Sequence, residues 1–117
     1  MLNIDGAEPA QLAEFYTNAL GWTSAHCDND YGVAKSDGIK LGFGKIQGFQ
    51  LTPWPDQVVA KRLHLDLLLD GLDSATERLC ATAASQPSFQ PGADRWQVLL
   101  DPSSQPFCLS QRPVPTF

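Results

Sequence analysis

Arg62-Leu63-His64-Leu65-Asp66-Leu67-Leu68-Leu69 alternates as a strand does, with Leu63, Leu65, Leu67 and Leu69 on one face and His64, Asp66 and Leu68 on the other. Asp70-Gly71 follows and opens a helix from Leu72 to about Ala84, where Leu72, Ala75, Thr76, Leu79, Cys80 and Ala83 recur at helical spacing. Gln86-Pro87 and Gln90-Pro91-Gly92 break the chain. Arg95 to Leu100, the turn Asp101-Pro102-Ser103-Ser104, and Phe107 to Gln111 read as strand, turn, strand, with a further short strand at Ser88-Phe89.

The first half has the same order. Leu2 and Ile4 mark a short strand within Met1 to Asp5, and a helix runs from Glu8 to Leu20 with Leu12, Phe15, Tyr16, Ala19 and Leu20 as its apolar stripe. Pro9 suits the first turn, and Gly21 supplies the left-handed residue that closes the helix. Trp22 to Cys27, Gly32 to Ser36 and Ile39 to Ile46 are three strands separated by Asp28-Asn29-Asp30 and Ser36-Asp37-Gly38. In the last of them Gly42 and Gly44 strip one face of side chains, which leaves room for a ligand or, as the alternative, admits a neighbouring backbone. Laying one half over the other places Leu79 on Tyr16 and Arg78 on Phe15. The expected fold is therefore α+β: two βαβββ modules, at 1–52 and 62–112, joined by a linker at 53–61 and paired into a curved mixed sheet enclosing a cup, with helices outside. Pro53-Trp54-Pro55 keeps the linker out of regular structure.

Composition bounds the function. The chain has 117 residues, of which 43% are hydrophobic, enough for one domain with its own core and no need of metal or disulfide staples. Thirteen acids against eight bases give a net charge of -5, with no basic run beyond Lys61-Arg62, so nucleic acid is not an expected partner. No stretch has the length of a membrane span or the build of a signal peptide, so a cytoplasmic protein without a membrane partner is expected. Cys27, Cys80 and Cys108 are odd in number and lack CxxC spacing, which fits reduced thiols better than a disulfide frame or a structural zinc site.

Glu8-Pro9-Ala10-Gln11-Leu12-Ala13-Glu14-Phe15-Tyr16, continuing to Leu20-Gly21-Trp22, resembles the first-helix signature of glyoxalase-like proteins in the vicinal oxygen chelate superfamily. His64-Leu65-Asp66-Leu67, Asp70 to Ala75, and Asp101-Pro102-Ser103-Ser104-Gln105-Pro106-Phe107-Cys108-Leu109 resemble the second-module pattern of a glyoxalase-like subgroup. The resemblance implies the paired-module cup, and a function among lyases, dioxygenases, epimerases, antibiotic-modifying thiol transferases and drug-binding proteins without catalysis. It also implies, in metal-dependent members, three or four ligands from His, Gln, Glu or Tyr on the first and last strands of the modules. His64 matches one such position. Cys108 stands where those enzymes carry a glutamate, and neither Met1 to Asp5 nor the strand around Phe43 supplies a matching donor.

The expectation is accordingly a protein without metal or other cofactor that binds a small, partly apolar molecule, as in sequestration or resistance, with His64, Asp66, Trp54, Trp96, Phe43 and Cys108 lining the cup. The alternative is a lyase or dioxygenase with a non-standard site, in which His64, Asp66 and Cys108 together would suit zinc. The resemblance is also compatible with a homodimer, its modules paired within the chain or exchanged.

Overall fold

The computed structural model describes residues 1–50, Trp54 and residues 63–112. The chain divides into two compact units, Met1–Leu51 and Thr52–Phe117.

In the first unit, β1 (Leu2–Asn3) leads to α1 (Pro9–Leu20) and then to β2 (Thr23–Cys27), β3 (Tyr31–Ser36) and β4 (Ile39–Gly44). The sheet order is β1-β4-β3-β2, with β1 parallel to β4 and the other pairs antiparallel. Pro9 sits in the first turn of α1, and Gly21 closes the helix at φ 67°, its N–H donating to the Thr17 carbonyl. Leu12, Ala13, Phe15 and Tyr16 are buried on the inner stripe of α1, as are Ala34, Leu41 and Phe43 of the sheet. The Tyr16 and Phe43 rings stack at 5.3 Å. Gly32 lets the helix come this close, because a Cβ there would stand 2.6 Å from the Ala13 Cβ and 3.0 Å from the Pro9 carbonyl oxygen.

The second unit runs β5 (Asp66–Leu69), α2 (Leu72–Cys80), β6 (Trp96–Leu100) and β7 (Pro106–Gln111), with sheet order β5-β7-β6. Again the first strand lies parallel to the last and the remaining pair is antiparallel. Each unit thus joins its first and last strands through a helical crossover, as the repeat in the sequence predicts.

Three boundaries differ from expectation. The strand expected at Ser88-Phe89 is absent, and a single bridge between Ser85 and Leu100 stands in its place. Here the Gln90 side chain meets β6 in place of a strand backbone, accepting the Val98 N–H at 2.8 Å and donating to the Val98 carbonyl at 2.9 Å. Helix α2 stops at Cys80, several residues early: Ala83 adopts φ 87°, and the Thr82 and Ala84 N–H groups both turn back to the Leu79 carbonyl. Strand β5 begins at Asp66, while Leu65 is tied to Cys108 and Leu63 to Gln105 by single hydrogen bonds, and Arg62 lies outside the described residues, as does most of the expected linker. Among the described residues no helix is long and apolar enough to cross a membrane.

Candidate functional site

Register fixes which side chains share a face of the second sheet. Asp66 and Val98 both lie opposite Cys108, and Leu68 and Trp96 both lie opposite Ser110. Directly opposed residues project to the same side, so these six form one face. The alternate residues Leu67, Leu99, Phe107 and Leu109 form the other, against which α2 packs.

His64 precedes β5 by two residues and therefore belongs to the Asp66 face. Its segment is anchored at two points: the Cys108 N–H of β7 donates to the Leu65 carbonyl at 2.8 Å, and the side-chain amide of Gln105, just before β7, donates to the Leu63 carbonyl at 3.1 Å. The turn before β7 is fixed by Asp101, whose Oδ1 accepts from the Ser103 N–H, the Ser103 hydroxyl and the Gln105 N–H. This complete turn role is the one the sequence predicts for Asp101.

On that scaffold the His64 Nε2 lies 3.1 Å from the Asp66 Oδ1. The Cys108 sulfur completes a group of three potential donor atoms, all within 4.8 Å of one another. The imidazole is 31% exposed and the carboxylate 60%, whereas Cys108 is only 4% exposed. The group can hydrogen-bond a ligand through imidazole and carboxylate, or offer nitrogen, oxygen and sulfur to a cation.

The other expected lining residues are placed differently. Trp96 shares the Asp66 face, but its ring covers Gly92 and carries the Arg95 guanidinium 4.7 Å from the ring centroid. Trp54 meets Phe89 at 5.7 Å between centroids. Phe43 is 0% exposed beneath α1, against Tyr16, so it belongs to the core between sheet and helix. His26 is exposed and contacts the Asp28 carboxylate at 2.7 Å. Cys80, on the expected inner stripe of α2, is half-buried and lines a shallow groove of about 400 Å³ with Asp73, Thr76, Glu77, Gln86 and Gln97. That groove lies on the α2 side of the sheet, away from His64.

The first unit shows what occupies the matching places. Asn3 lies opposite Gly42 as Asp66 lies opposite Cys108, and Met1 precedes Asn3 as His64 precedes Asp66. The space above Gly42 is taken by the ends of Asn3, Tyr31 and Met1, and the Tyr31 hydroxyl donates to the Asn3 Oδ1 at 2.9 Å. Asp5 fills the space above Gly44 and accepts its N–H at 2.9 Å. The two glycines therefore admit neighbouring side chains, which corrects the expectation of room for a ligand. Tyr31 is the polar group that the sequence reading missed. Its signal was its place opposite the bare Gly44 across the β3–β4 pair.

An ion held by three or four His, Gln, Glu or Tyr ligands, of the kind the resemblance implies, does not fit these residues. Met1, Asn3 and Gly42 offer neither imidazole nor carboxylate, and Asp5 is engaged by a backbone N–H. The second unit retains one nitrogen, one oxygen and one sulfur.

A family model described as "Glyoxalase-like domain" matches residues 1–110. The chain belongs to the glyoxalase-like domain family. Solved structures agree on its fold. A glyoxalase/bleomycin resistance protein/dioxygenase family enzyme from Burkholderia phytofirmans PsJN is 16% identical at TM-score 0.70, covering 94% of each chain. A genomically encoded fosfomycin resistance protein from Listeria monocytogenes is 12% identical at TM-score 0.69, covering 97% of this chain and 91% of its own. The bleomycin-binding protein of Streptomyces verticillus, solved with copper(II)-bleomycin, is 13% identical at TM-score 0.58, covering 95% and 93%. No curated protein matches this glyoxalase-like chain in sequence. At these identities the structural likeness establishes the fold of the glyoxalase-like chain and leaves its ligand to the site itself.

Proposed function

We propose that this glyoxalase-like protein binds a small, partly apolar molecule on the Asp66 face of its second sheet, without the ion of the metal-dependent members. The observation that carries this reading is the His64–Asp66 contact of 3.1 Å beside a buried sulfur. Asp66 orients the imidazole, His64 supplies the directional hydrogen bond, and Leu68 and Trp96 on the same face offer apolar area to cover. That chemistry suits sequestration of a planar or antibiotic-like compound, and the bleomycin-binding and fosfomycin resistance proteins of the same fold suggest two probes.

The test is a titration of aromatic and planar compounds, and separately of copper(II)-bleomycin and of fosfomycin, read by melting temperature and tryptophan fluorescence. At least one compound should stabilise the protein, and its affinity should fall about tenfold, the worth of one good hydrogen bond, in His64→Ala. The exposed control His26→Ala should bind as the wild type does. Silence across the panel, or equal loss in the two histidine variants, refutes the reading.

A further inference from the structure

We infer that Gln105 is a positioning residue for His64: its side-chain amide pins the chain ahead of the imidazole and so fixes where the ring points before any ligand arrives. This rests on the function proposed above only for the purpose of His64, since the way the ring is held stands on its own geometry. His64 and Asp66 are two residues apart on an extended chain, a spacing that sets their Cα atoms about 6.4–6.8 Å apart. The imidazole and carboxylate meet at 3.1 Å because both side chains lean together, which they can do only while the backbone through Leu65 stays extended.

The strand does not secure that backbone, because β5 begins at Asp66 and His64 lies ahead of it. Among the described residues the stretch is held by one hydrogen bond on each side of the histidine, from the Cys108 N–H to the Leu65 carbonyl and from the Gln105 Nε2 to the Leu63 carbonyl. Leu63 is 79% exposed, so burial adds no hold there. Gln105 is itself rigidly mounted. Its N–H donates to the Asp101 Oδ1 at 3.0 Å and its carbonyl accepts the Asp101 N–H at 3.0 Å, and Asp101 is buried. The Nε2 then divides its two hydrogens between the Leu63 carbonyl at 3.1 Å and the Pro106 carbonyl at 3.2 Å, so the side chain is fixed at both ends. Gln105 makes no hydrogen bond to His64 or Asp66 and acts on the imidazole through Leu63. An imidazole ordered in advance spares a ligand the cost of ordering it, worth roughly two- to tenfold in affinity.

The experiment uses the full-length protein with no ligand added. Nuclear magnetic resonance couplings between the backbone and the His64 Cγ report its χ1 angle in solution, and the wild type should show a single rotamer. Gln105→Glu keeps the size of the side chain but at neutral pH has no hydrogen to give Leu63, and Gln105→Ala cannot reach it. Both should show averaged couplings. Exchange protection of the Cys108 N–H, the tie that remains, should fall about fivefold, the worth of one hydrogen bond. Gln105→Lys, which restores a donor, should recover the single rotamer. Gly32→Ala strains the first unit and should leave the His64 couplings as they are in the wild type while lowering the urea midpoint. Couplings that are averaged already in the wild type, unchanged in Gln105→Glu, or averaged equally in Gly32→Ala overturn the inference. A protein in which Gln105→Glu changes nothing, yet which binds a compound through His64, keeps the proposed function. One that shows the clamp and ignores every compound loses that reading alone.

Discussion

Asp66 stands directly opposite Cys108 across the parallel β5–β7 pair, and this pairing brings a carboxylate and a thiol from distant stretches of chain to one histidine. The first unit repeats the pairing with Asn3 opposite Gly42, where the amide meets the Tyr31 hydroxyl. The duplicated frame therefore carries two polar corners of different chemistry.

The two buried glycine contacts of the first unit should respond differently to a methyl group. At Gly32 the obstacle is the Ala13 Cβ and the Pro9 backbone, neither of which can move without lifting α1, so Gly32→Ala should cost about 1–3 kcal/mol. At Gly42 the obstacles are the ends of Asn3, Tyr31 and Met1, which can swing outward. Gly42→Ala should then cost about 0.5–1.5 kcal/mol, the worth of the Tyr31–Asn3 hydrogen bond. Urea midpoints of the two variants check the order, and a larger loss at Gly42 would contradict it.

Much of the fold was legible because its signals are local. Pro9 and Gly21 bracket α1, and alternation along the strand separates the half-buried Leu65, Leu67 and Leu69 from the more exposed His64 and Asp66. The end of α2 was not legible, since Ala81, Ala83 and Ala84 are good helix formers and the left-handed residue that stops the helix is an alanine. The site was legible in part. Alternation assigned His64 and Asp66 to one face, but their meeting with Cys108 depends on pairing register, which a single strand does not encode. Alternation alone does not say which face of β4 the helix covers, and the structure places Phe43 with Leu41 on the face beneath α1.

Ala83 at φ 87° bears a strain that glycine does not. Ala83→Gly should stabilise the protein by about 0.5–1 kcal/mol after allowance for the freer unfolded chain. Calorimetry should show this as a rise of a few degrees in melting temperature, roughly 2–6 °C. A lower melting temperature would mean that the left-handed turn after α2 is not under strain.

Asp101 is buried and its Oδ1 accepts three hydrogen bonds, two of them from backbone N–H groups. Asp101→Ala leaves the Ser103 and Gln105 N–H groups without that acceptor and should cost at least about 2 kcal/mol. Asp101→Asn keeps a carbonyl acceptor in place and should cost less than half as much. Equal costs in urea denaturation would show that the charge, rather than the acceptor, holds the turn before β7.

Asp28 ties the β2–β3 turn to acid stability. Its Oδ1 accepts the Asp30 and Tyr31 N–H groups at 2.8 Å each, and its Oδ2 contacts His26 at 2.7 Å. The two backbone donors first, and His26 after them, hold its carboxyl below the ordinary value of 3.8. A carboxyl depressed in the folded state binds fewer protons than in the unfolded chain. Its contribution is therefore present in full above the unfolded value and is lost as pH falls below 3.8 through the folded one. Asp28→Asn keeps an acceptor for the turn but cannot titrate, so its stability should fall less steeply than that of the wild type below about pH 4. Denaturation midpoints across the acid range decide it: curves that run parallel through that window would show that the carboxylate of Asp28 is no better held in the folded hairpin than in the open chain.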